Sequence, residues 1–146
     1  MYDNWTANFT VVGATLFVVG TCVLLHYEGL LLLNRGLAQL HAAHRRVLVL
    51  YAIFSVLMLH VVEIWIFGAA IWALLHWPDI GSLRGAEHLF DYIYFSAVTF
   101  TTAGYGDVVP VGPIRFLAGT ESLSGFVMIT WSASFTFLEM EKYWRR

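Results

Sequence analysis

The sequence predicts an all-α membrane protein with three transmembrane helices and one shorter helix that enters the bilayer without crossing it. Two observations lead to this fold class. Of the 146 residues, 59% are hydrophobic and only 12% are charged, and a water-soluble chain of this length cannot bury so large an apolar fraction. The apolar residues also cluster into long segments that carry few charges, which is typical of helices that span a bilayer.

Three of these segments are long enough to cross a membrane. A hydrocarbon core of about 30 Å needs roughly 20 helical residues at 1.5 Å per residue. The three segments cover residues 9–25, 47–75 and 114–138. A fourth apolar segment, residues 87–100, is too short to span. It therefore predicts a re-entrant helix, whose irregular continuation must be buried in protein or bathed by water.

The basic residues predict the orientation of the chain, because cytoplasmic connections of membrane proteins are enriched in lysine and arginine. Basic residues follow the first span and the third span: Arg35, Arg45, Arg46, Lys142, Arg145 and Arg146. The connection between the second and third spans is mostly acidic. This pattern predicts a multi-pass protein of the cell membrane with an external N-terminus, a cytoplasmic C-terminus and a re-entrant helix that enters from outside.

Residues 1–46 are predicted to form a transmembrane helix followed by a cytoplasmic interfacial helix. Leucines after the first span recur at steps of three and four residues, namely Leu30, Leu33, Leu37 and Leu40. Such spacing gives one apolar helical face. With basic residues on the other side, this segment is predicted to lie on the inner leaflet and to contact membrane lipids, including anionic ones. The alternative is a simple extension of the first span that ends in a turn.

The stretch "TTAGYGD", residues 101–107, follows the re-entrant segment. Glycine reaches backbone conformations closed to other residues, so a glycine-rich strand can turn successive carbonyls toward one axis. Several such strands around an axis would replace the water shell of a dehydrated cation. Residues 102–106, "TAGYG", match the pattern TVGYG that potassium channels use in this way.

The longer stretch "DYIYFSAVTFTTAGYGDVVP", residues 91–110, resembles the pore helix and selectivity filter of tetrameric potassium channels. The flanking spans resemble the outer and inner helices of that family. The resemblance implies a pore domain over residues 47–146 with four parts: an outer helix 47–76, a pore helix 87–101, a filter 102–107 and an inner helix 113–140.

The resemblance also implies an activity, which is passive and K+-selective conduction across the membrane. One chain supplies one filter segment, so the pore is predicted to be a symmetric homotetramer. Two alternatives stay open, a non-selective cation channel and a non-conducting auxiliary subunit of another channel.

Each filter residue takes a role from the resemblance. Thr102, through its hydroxyl and carbonyl, is expected to form the innermost K+ site. Ala103, Gly104, Tyr105 and Gly106 are expected to contribute backbone carbonyls, and the Tyr105 ring is expected to pack away from the axis and fix the filter width. The family usually has valine or isoleucine where Ala103 stands. A further residue, Asp107, is expected at the outer mouth, where it favours the arrival of cations.

The inner helix contains Gly125, which aligns with the glycine hinge of the family. Family spacing from this hinge places three residues toward the conduction path, namely Ile129, Ala133 and Phe137. Phe137 lies near the cytoplasmic end, where a ring of phenylalanines would form a hydrophobic constriction. Packing of Phe137 against the outer helix is the alternative.

Ionisable residues also fall in the interior of predicted spans, away from their ends, namely His60, Glu63 and Glu121. Such residues are costly in a bilayer and are functional hypotheses by default. His60 and Glu63 share a helical face at i and i+3, and helix depth places Glu63 near Gly125. A polar network behind the filter is therefore predicted, with simple packing as the alternative. A metal site at His60 and Glu63 is disfavoured, because two ligands are too few.

Composition excludes several other classes of protein. The net charge of −2 gives no indication of a nucleic-acid partner, and the single cysteine, Cys22, excludes a disulfide framework. No arrangement of residues predicts an enzyme. No cofactor is expected either, because K+ would be the permeant ion.

Overall fold

The computed structural model describes residues 4–39 and 45–144, without the side chains of residues 45, 143 and 144. Within these ranges the order of elements is α1 (Trp5–Gln39), α2 (Arg45–Leu74), β1 (Ser82–Arg84), α3 (Leu89–Phe100), β2 (Val109–Val111) and α4 (Arg115–Trp144). The chain is therefore mostly helical, as predicted.

The three long helices, α1, α2 and α4, are long and apolar enough to cross a membrane. They contain 35, 30 and 30 residues. At 1.5 Å per residue these lengths correspond to roughly 52, 45 and 45 Å, which exceeds the hydrocarbon thickness of a bilayer. The prediction of an all-α membrane protein with three spanning helices is confirmed.

Helix α3 is the short re-entrant helix, with 12 residues, or about 18 Å. Its start is fixed by Asp91, whose carboxylate accepts hydrogen bonds from the backbone N–H groups of Glu87 and His88, each at 2.7 Å. Capping of this kind satisfies donors that have no partner inside the helix. The same two hydrogen bonds favour the charged form and lower the pKa of Asp91.

A two-stranded antiparallel sheet connects the segments on either side of α3. Strand β1 precedes the helix, strand β2 follows the exposed loop after it, and Leu83 pairs with Pro110 at the centre. The pairing fixes both ends of the α3 unit at the same end of the helical bundle. The N-terminus of α1 lies at this end too, because the Asn4 side chain donates a hydrogen bond of 2.9 Å to Asp79.

Helix α3 is enclosed by the long helices. A core of buried apolar side chains joins all four helices, including Val11 and Cys22 of α1, Phe67 and Ile71 of α2, Phe95 and Phe100 of α3, and Leu117 and Met128 of α4. Side chains on the remaining faces of the long helices are exposed and mostly apolar. This distribution suits helices that meet lipid or other copies of the chain on their outer surfaces.

The predicted interfacial helix is wrong for residues 28–39. Helix α1 continues without a break to Gln39. Leu30, Leu33 and Leu37 are buried against Leu48, Ala52 and Val56 of α2, so the leucine face packs against protein instead of lipid. The apolar periodicity of residues 30–37 would be the same whether the leucine face met lipid or protein. Only the position of α2 distinguishes the two arrangements. Residues 40–44, which include Leu40, lie outside the described residues.

Candidate functional site

The loop after α3 is a polar segment that is exposed along its whole length. Phe100, the last residue of α3, is fully buried, whereas every residue from Thr101 to Asp107 is exposed. The seven residues of the TTAGYGD motif therefore lie on one open face of the chain. The predicted filter residues Thr102, Ala103, Gly104, Tyr105 and Gly106 all belong to this stretch.

The backbone of this loop alternates in handedness. Thr102, Gly104 and Gly106 have φ angles of 60°, 51° and 82°, and the two residues between them are not in the left-handed region. Glycine adopts positive φ easily, but a β-branched residue such as Thr102 does so at a cost and is unusual. Strained backbone of this kind clusters at functional sites.

The inner end of the loop is tied to α3 through the backbone. The N–H of Gly104 donates to the Val98 carbonyl at 3.0 Å, and the N–H of Thr102 donates to the Thr99 carbonyl at 3.0 Å. These bonds satisfy carbonyls at the C-terminal end of α3. They leave the other side of the loop open, since a Cβ added at Gly104 or Gly106 would meet nothing within 4 Å.

The outer end of the loop is held by a side chain of α3. The Tyr94 hydroxyl donates a hydrogen bond of 2.8 Å to Oδ2 of Asp107. This bond to a carboxylate raises the pKa of Tyr94. Asp107, predicted at the outer mouth, is thus held above the helix that supports the loop. Tyr105 projects outward and is 75% exposed in the single chain.

Gly125 of α4 lies directly against the end of α3. A Cβ at this position would be 2.1 Å from the carbonyl oxygen of Phe100, which no side chain tolerates. The structure therefore gives Gly125 a packing role that the predicted hinge did not include. Helix α4 runs through Gly125 from Arg115 to Trp144 as one α-helix.

The three predicted pore-lining residues share a groove. Ile129, Ala133 and Phe137 lie along α4 and face α2 of the same chain across a groove of about 380 Å³, which His60 and Ser132 also line. Phe137 is 60% exposed. The groove brings the predicted pore-lining positions and His60 onto one surface.

The predicted polar network consists of two separate clusters. In the first, which we call the His–Glu cluster, Glu63 is fully buried and accepts hydrogen bonds at both carboxylate oxygens. Nδ1 of His60 lies 2.9 Å from Oε2, as the i, i+3 spacing predicts, and Nδ1 of His26 lies 2.8 Å from Oε1. Nε2 of His26 lies 3.3 Å from the Ser132 hydroxyl. The cluster joins α1, α2 and α4.

The second cluster contains Glu121, which is hydrogen-bonded to Ser96 instead of Glu63. The Ser96 hydroxyl lies 2.5 Å from Oε1 of Glu121 and 2.8 Å from the Ile64 carbonyl. Within the described residues, Oε2 of Glu121 is buried without a hydrogen-bond partner. The single network of His60, Glu63 and Glu121 is therefore corrected to two, because the Glu63 carboxylate is hydrogen-bonded to His26 and His60 whereas that of Glu121 is hydrogen-bonded to Ser96.

Sequence reasoning did not identify His26, Ser96, Ser132 or Tyr94 as members of these sites. His26 had a detectable signal. It continues the buried stripe of α1 through Val18, Cys22 and Leu30, at steps of four residues, so a polar side chain there had to find a partner inside the bundle. The other three are ordinary residues on apolar helices, and their partners are separated in sequence by 13 to 106 residues.

The helical fold and the loop after α3 agree with the features of a known protein family. A family described as "Ion channel" matches residues 46–142, which are about two-thirds of the chain and nearly all of the region from α2 to α4. The chain belongs to this ion channel family, and this membership favours a channel over an enzyme. It is a membrane protein with three spanning helices.

Three curated proteins are similar over parts of the chain. A protein named "Voltage-gated potassium channel" from Aeropyrum pernix is 35% identical over 88 residues, which are 60% of this chain and 26% of the relative. "Protein LctB" from Bacillus caldotenax and from Geobacillus stearothermophilus are 45% and 39% identical over 51 residues, which are 35% of this chain and 38% of each relative. The chain thus spans between about a quarter and two-fifths of these relatives. No solved structure matches it.

Proposed function

We propose that the chain forms a homotetrameric, potassium-selective channel that conducts K+ passively through residues 102–106. The observation that carries the proposal is the loop between α3 and α4. Seven consecutive residues with polar backbone are exposed beside a short helix that reaches only about halfway through a bilayer. Backbone of this kind at membrane depth must be buried by protein or line a water-filled path.

Four copies of the chain around one axis would bury this loop backbone or place it along a water-filled path. Placing the loops around a common axis turns their exposed faces toward one another and leaves the apolar outer faces toward lipid. The alternating φ signs at Thr102, Gly104 and Gly106 allow consecutive carbonyls to face the same side, as rings of carbonyl ligands require. The open space around Gly104 and the exposed Tyr105 ring both suit contacts made by a neighbouring copy.

The ion preference rests on the loop sequence and on a relative. Thr102 to Gly106 differ at one position from the potassium-channel pattern TVGYG, and that position, Ala103, would act through its carbonyl. The relative from Aeropyrum pernix is named as a potassium channel. The expected K+ ligands are the carbonyls of Thr102, Ala103, Gly104 and Tyr105, with the Thr102 hydroxyl at the inner end. Asp107 would attract cations at the outer mouth.

The proposed orientation places the filter end and the N-terminus outside. The hydrogen bond between Asn4 and Asp79 supports a common side for these two regions. The basic residues of the α1–α2 connection and of the α4 terminus would then lie in the cytoplasm. Arg35 and Arg46 are exposed there, so anionic lipids of the inner leaflet are proposed partners even though the leucine face is buried.

The inner half of the pore would be lined by α4. Ile129, Ala133 and Phe137 are assigned to this lining by family spacing, with Phe137, exposed near the cytoplasmic end, as a candidate constriction. The groove that they share with α2 keeps open the alternative in which Phe137 packs against the outer helix. Gly125 holds α4 against the base of α3, so movement of α4 would be transmitted to the Phe100 carbonyl directly before the filter. Voltage sensing is not part of the proposal, because Arg35 is the one basic side chain of α1 apart from histidine.

The test is ion flux from liposomes that contain the purified chain. We expect K+ efflux that is blocked by barium, is indifferent to a proton gradient and is much faster than Na+ efflux. Mass measurement in mild detergent should give a particle near four times 16.5 kDa plus detergent. Equal Na+ and K+ fluxes would instead indicate a non-selective channel. An intact tetramer without flux would indicate an auxiliary subunit.

A further inference from the structure

The His–Glu cluster contains three side chains that commonly bind metal ions. Among the described residues, His26, His60 and Glu63 each offer one ligand atom, and these atoms all lie within 4.8 Å of one another. His26 comes from α1, while His60 and Glu63 lie one turn apart on α2. We propose that these three residues form a binding site for a divalent transition-metal ion of the zinc class.

The distances are close to those that a metal ion requires. The two Nδ1 atoms lie 2.8 and 2.9 Å from the two carboxylate oxygens of Glu63. Tetrahedral zinc with bonds of about 2.0–2.2 Å separates its ligand atoms by roughly 3.3–3.6 Å. An outward shift of about half an ångström per contact would therefore admit the ion, and rotations of the two imidazole rings can supply it.

The protons of the site can be rearranged without a change in their number. In the metal-free cluster the Nδ1 atoms of His26 and His60 lie at hydrogen-bond distance from the Glu63 carboxylate, which accepts an Nδ1–H group from each ring. A metal ligand nitrogen must carry no proton, so each imidazole moves its proton from Nδ1 to Nε2 when the ion binds. No proton is lost from the chain, and Glu63 exchanges two hydrogen bonds for a bond to the metal.

The Ser132 hydroxyl can hydrogen-bond to His26 Nε2 both before and after the proton moves to that nitrogen. The hydroxyl oxygen lies 3.3 Å from His26 Nε2, and a hydroxyl both donates and accepts. Without metal it donates to Nε2, and with metal it accepts from Nε2–H. Metal-binding histidines almost always donate their second N–H to an oxygen atom in this way, which fixes the ring orientation. The fully buried His26 would thus be held by the metal on one side and by α4 on the other.

The ligand types select the class of ion. Two imidazole nitrogens and one carboxylate oxygen form the His₂Glu set that binds zinc with one position left open. Imidazole also suits nickel, cobalt and copper, whereas calcium and magnesium prefer oxygen ligands alone. The open position would be taken by water.

An ion can reach the site through the groove between α2 and α4. His60 keeps 13% of its side chain exposed and lines the groove of about 380 Å³ together with Ser132. His26 and Glu63, in contrast, have no exposed surface. The partly exposed His60 is therefore the ligand that an incoming ion meets first.

A bound ion would join the N-terminal helix to the pore domain near the base of the filter. The His60 ring centroid lies 5.8 Å from that of Phe100, the last residue of α3. Metal occupancy would thus stiffen the support of the loop at residues 101–107. This consequence for conduction rests on the proposed channel function, whereas metal binding itself does not.

The experiment is a metal titration of the purified full-length chain after tag removal and treatment with a chelator. Zn2+ is titrated by calorimetry, and Co2+ by its visible absorption, which reports tetrahedral nitrogen and oxygen ligation. We expect one ion per chain. His26→Gln and His60→Gln should each weaken binding by at least about 100-fold, and Ser132→Ala by about tenfold, in keeping with the 10–100-fold cost of losing an outer-shell partner.

Two control variants separate this site from other histidines. His76→Gln removes an exposed histidine whose Nδ1 bonds to the Trp72 carbonyl of its own helix, and His41→Gln combined with His44→Gln removes a pair outside the described residues. Both should bind metal like the wild-type chain. Thermal unfolding with and without Zn2+ should show a rise in the wild-type midpoint that His60→Gln lacks.

The proposal is overturned if the wild-type chain binds no stoichiometric ion, or if His60→Gln and His26→Gln bind as tightly as the controls. In either case the cluster is a metal-free hydrogen-bonded support between helices. These readouts need no ion flux. A chain that binds zinc but does not conduct refutes the channel, and a conducting chain without zinc refutes the metal site.

Discussion

The loop of residues 101–107 and the His–Glu cluster are both polar regions within an apolar bundle, but their polar groups are satisfied in opposite ways. The loop from Thr101 to Asp107 is exposed along its whole length and is tied to α3 through the N–H groups of Thr102 and Gly104 and through the Asp107 carboxylate. The His–Glu cluster is enclosed, and Glu63 has both carboxylate oxygens hydrogen-bonded within the chain. One region is open toward other molecules, and the other is closed by the chain's own helices.

This difference teaches how a membrane chain can combine assembly with stability. Polar groups in hydrocarbon must be satisfied, so an open polar loop requires further copies or water, whereas a closed cluster stabilises the single chain before it assembles. The two regions meet at Phe100, whose ring neighbours His60 and whose carbonyl lies against Gly125. Substitutions in the open region should therefore change conduction, and those in the closed region should change stability.

The largest effect is expected for Gly104→Ala in the open region. Gly104 has φ of 51°, and an L-residue in this conformation costs about 1–2 kcal/mol. The carbonyl geometry would shift, so K+ efflux from liposomes should fall to background. The added methyl meets nothing within 4 Å in the single chain, so the chain should still fold.

The matched control is Gly119→Ala on α4, where the added methyl also meets nothing but φ is not positive. It should conduct like the wild-type chain. Wild-type efflux from Gly104→Ala would remove the loop as the conduction path.

The second-largest effect is expected for Glu63→Ala in the closed region, the His–Glu cluster. The substitution leaves the Nδ1 atoms of buried His26 and partly exposed His60 without their acceptor, and an unpaired buried group costs about 1–3 kcal/mol. The unfolding temperature in detergent should fall clearly. Glu63→Gln, which keeps one acceptor oxygen, should fall less.

Exposed Glu28 of α1 provides the comparison, and Glu28→Ala should leave the unfolding temperature nearly unchanged. If Glu63→Ala were no more harmful than Glu28→Ala, the enclosed cluster would contribute nothing to stability and the contrast between the two regions would fail.

The third prediction concerns the contact between the regions. Gly125→Ala places a methyl 2.1 Å from the Phe100 carbonyl, so α4 must move away from α3. Overpacking of this kind typically costs about 1–3 kcal/mol. We expect a lower unfolding temperature and a reduced K+ efflux with unchanged preference over Na+. Gly119→Ala again serves as the control, and equal unfolding temperatures for the two variants would contradict the tight contact.

The smallest effect is expected at Asp91, which caps α3. Hydrogen bonds from His88 and Glu87 lower its pKa in the folded chain, so its stabilising contribution is present above the ordinary aspartate pKa of about 3.9 and is lost as the pH falls through the lower folded value. Wild type should unfold at a higher temperature than Asp91→Asn at pH 7. The gap should narrow in acid, and a gap independent of pH would exclude this role.

The sequence predicted the regions that depend on neighbouring residues. The i, i+3 spacing of His60 and Glu63 placed them on one face, and the structure has them hydrogen-bonded. Residues 101–107 were singled out by their glycines and by the match of residues 102–106 to the pattern TVGYG. Predictions that depended on the relative depth or rotation of helices were less accurate. One network was expected for His60, Glu63 and Glu121, but Glu121 pairs with Ser96. The leucine face of residues 30–37 packs on α2 instead of lying on lipid.

The sequence by itself determined three apolar spans, a short re-entrant helix and a glycine-rich loop, because hydrophobic length and glycine conformation act within a few residues. Only the tertiary structure decided that His26 completes the cluster of Glu63, that Ser96 pairs with Glu121 and that Tyr94 holds Asp107. These partners lie 37, 25 and 13 residues apart. Apolar helices pack in many rotations of similar energy, so the pairing of their few polar side chains is set by the packing of the whole bundle.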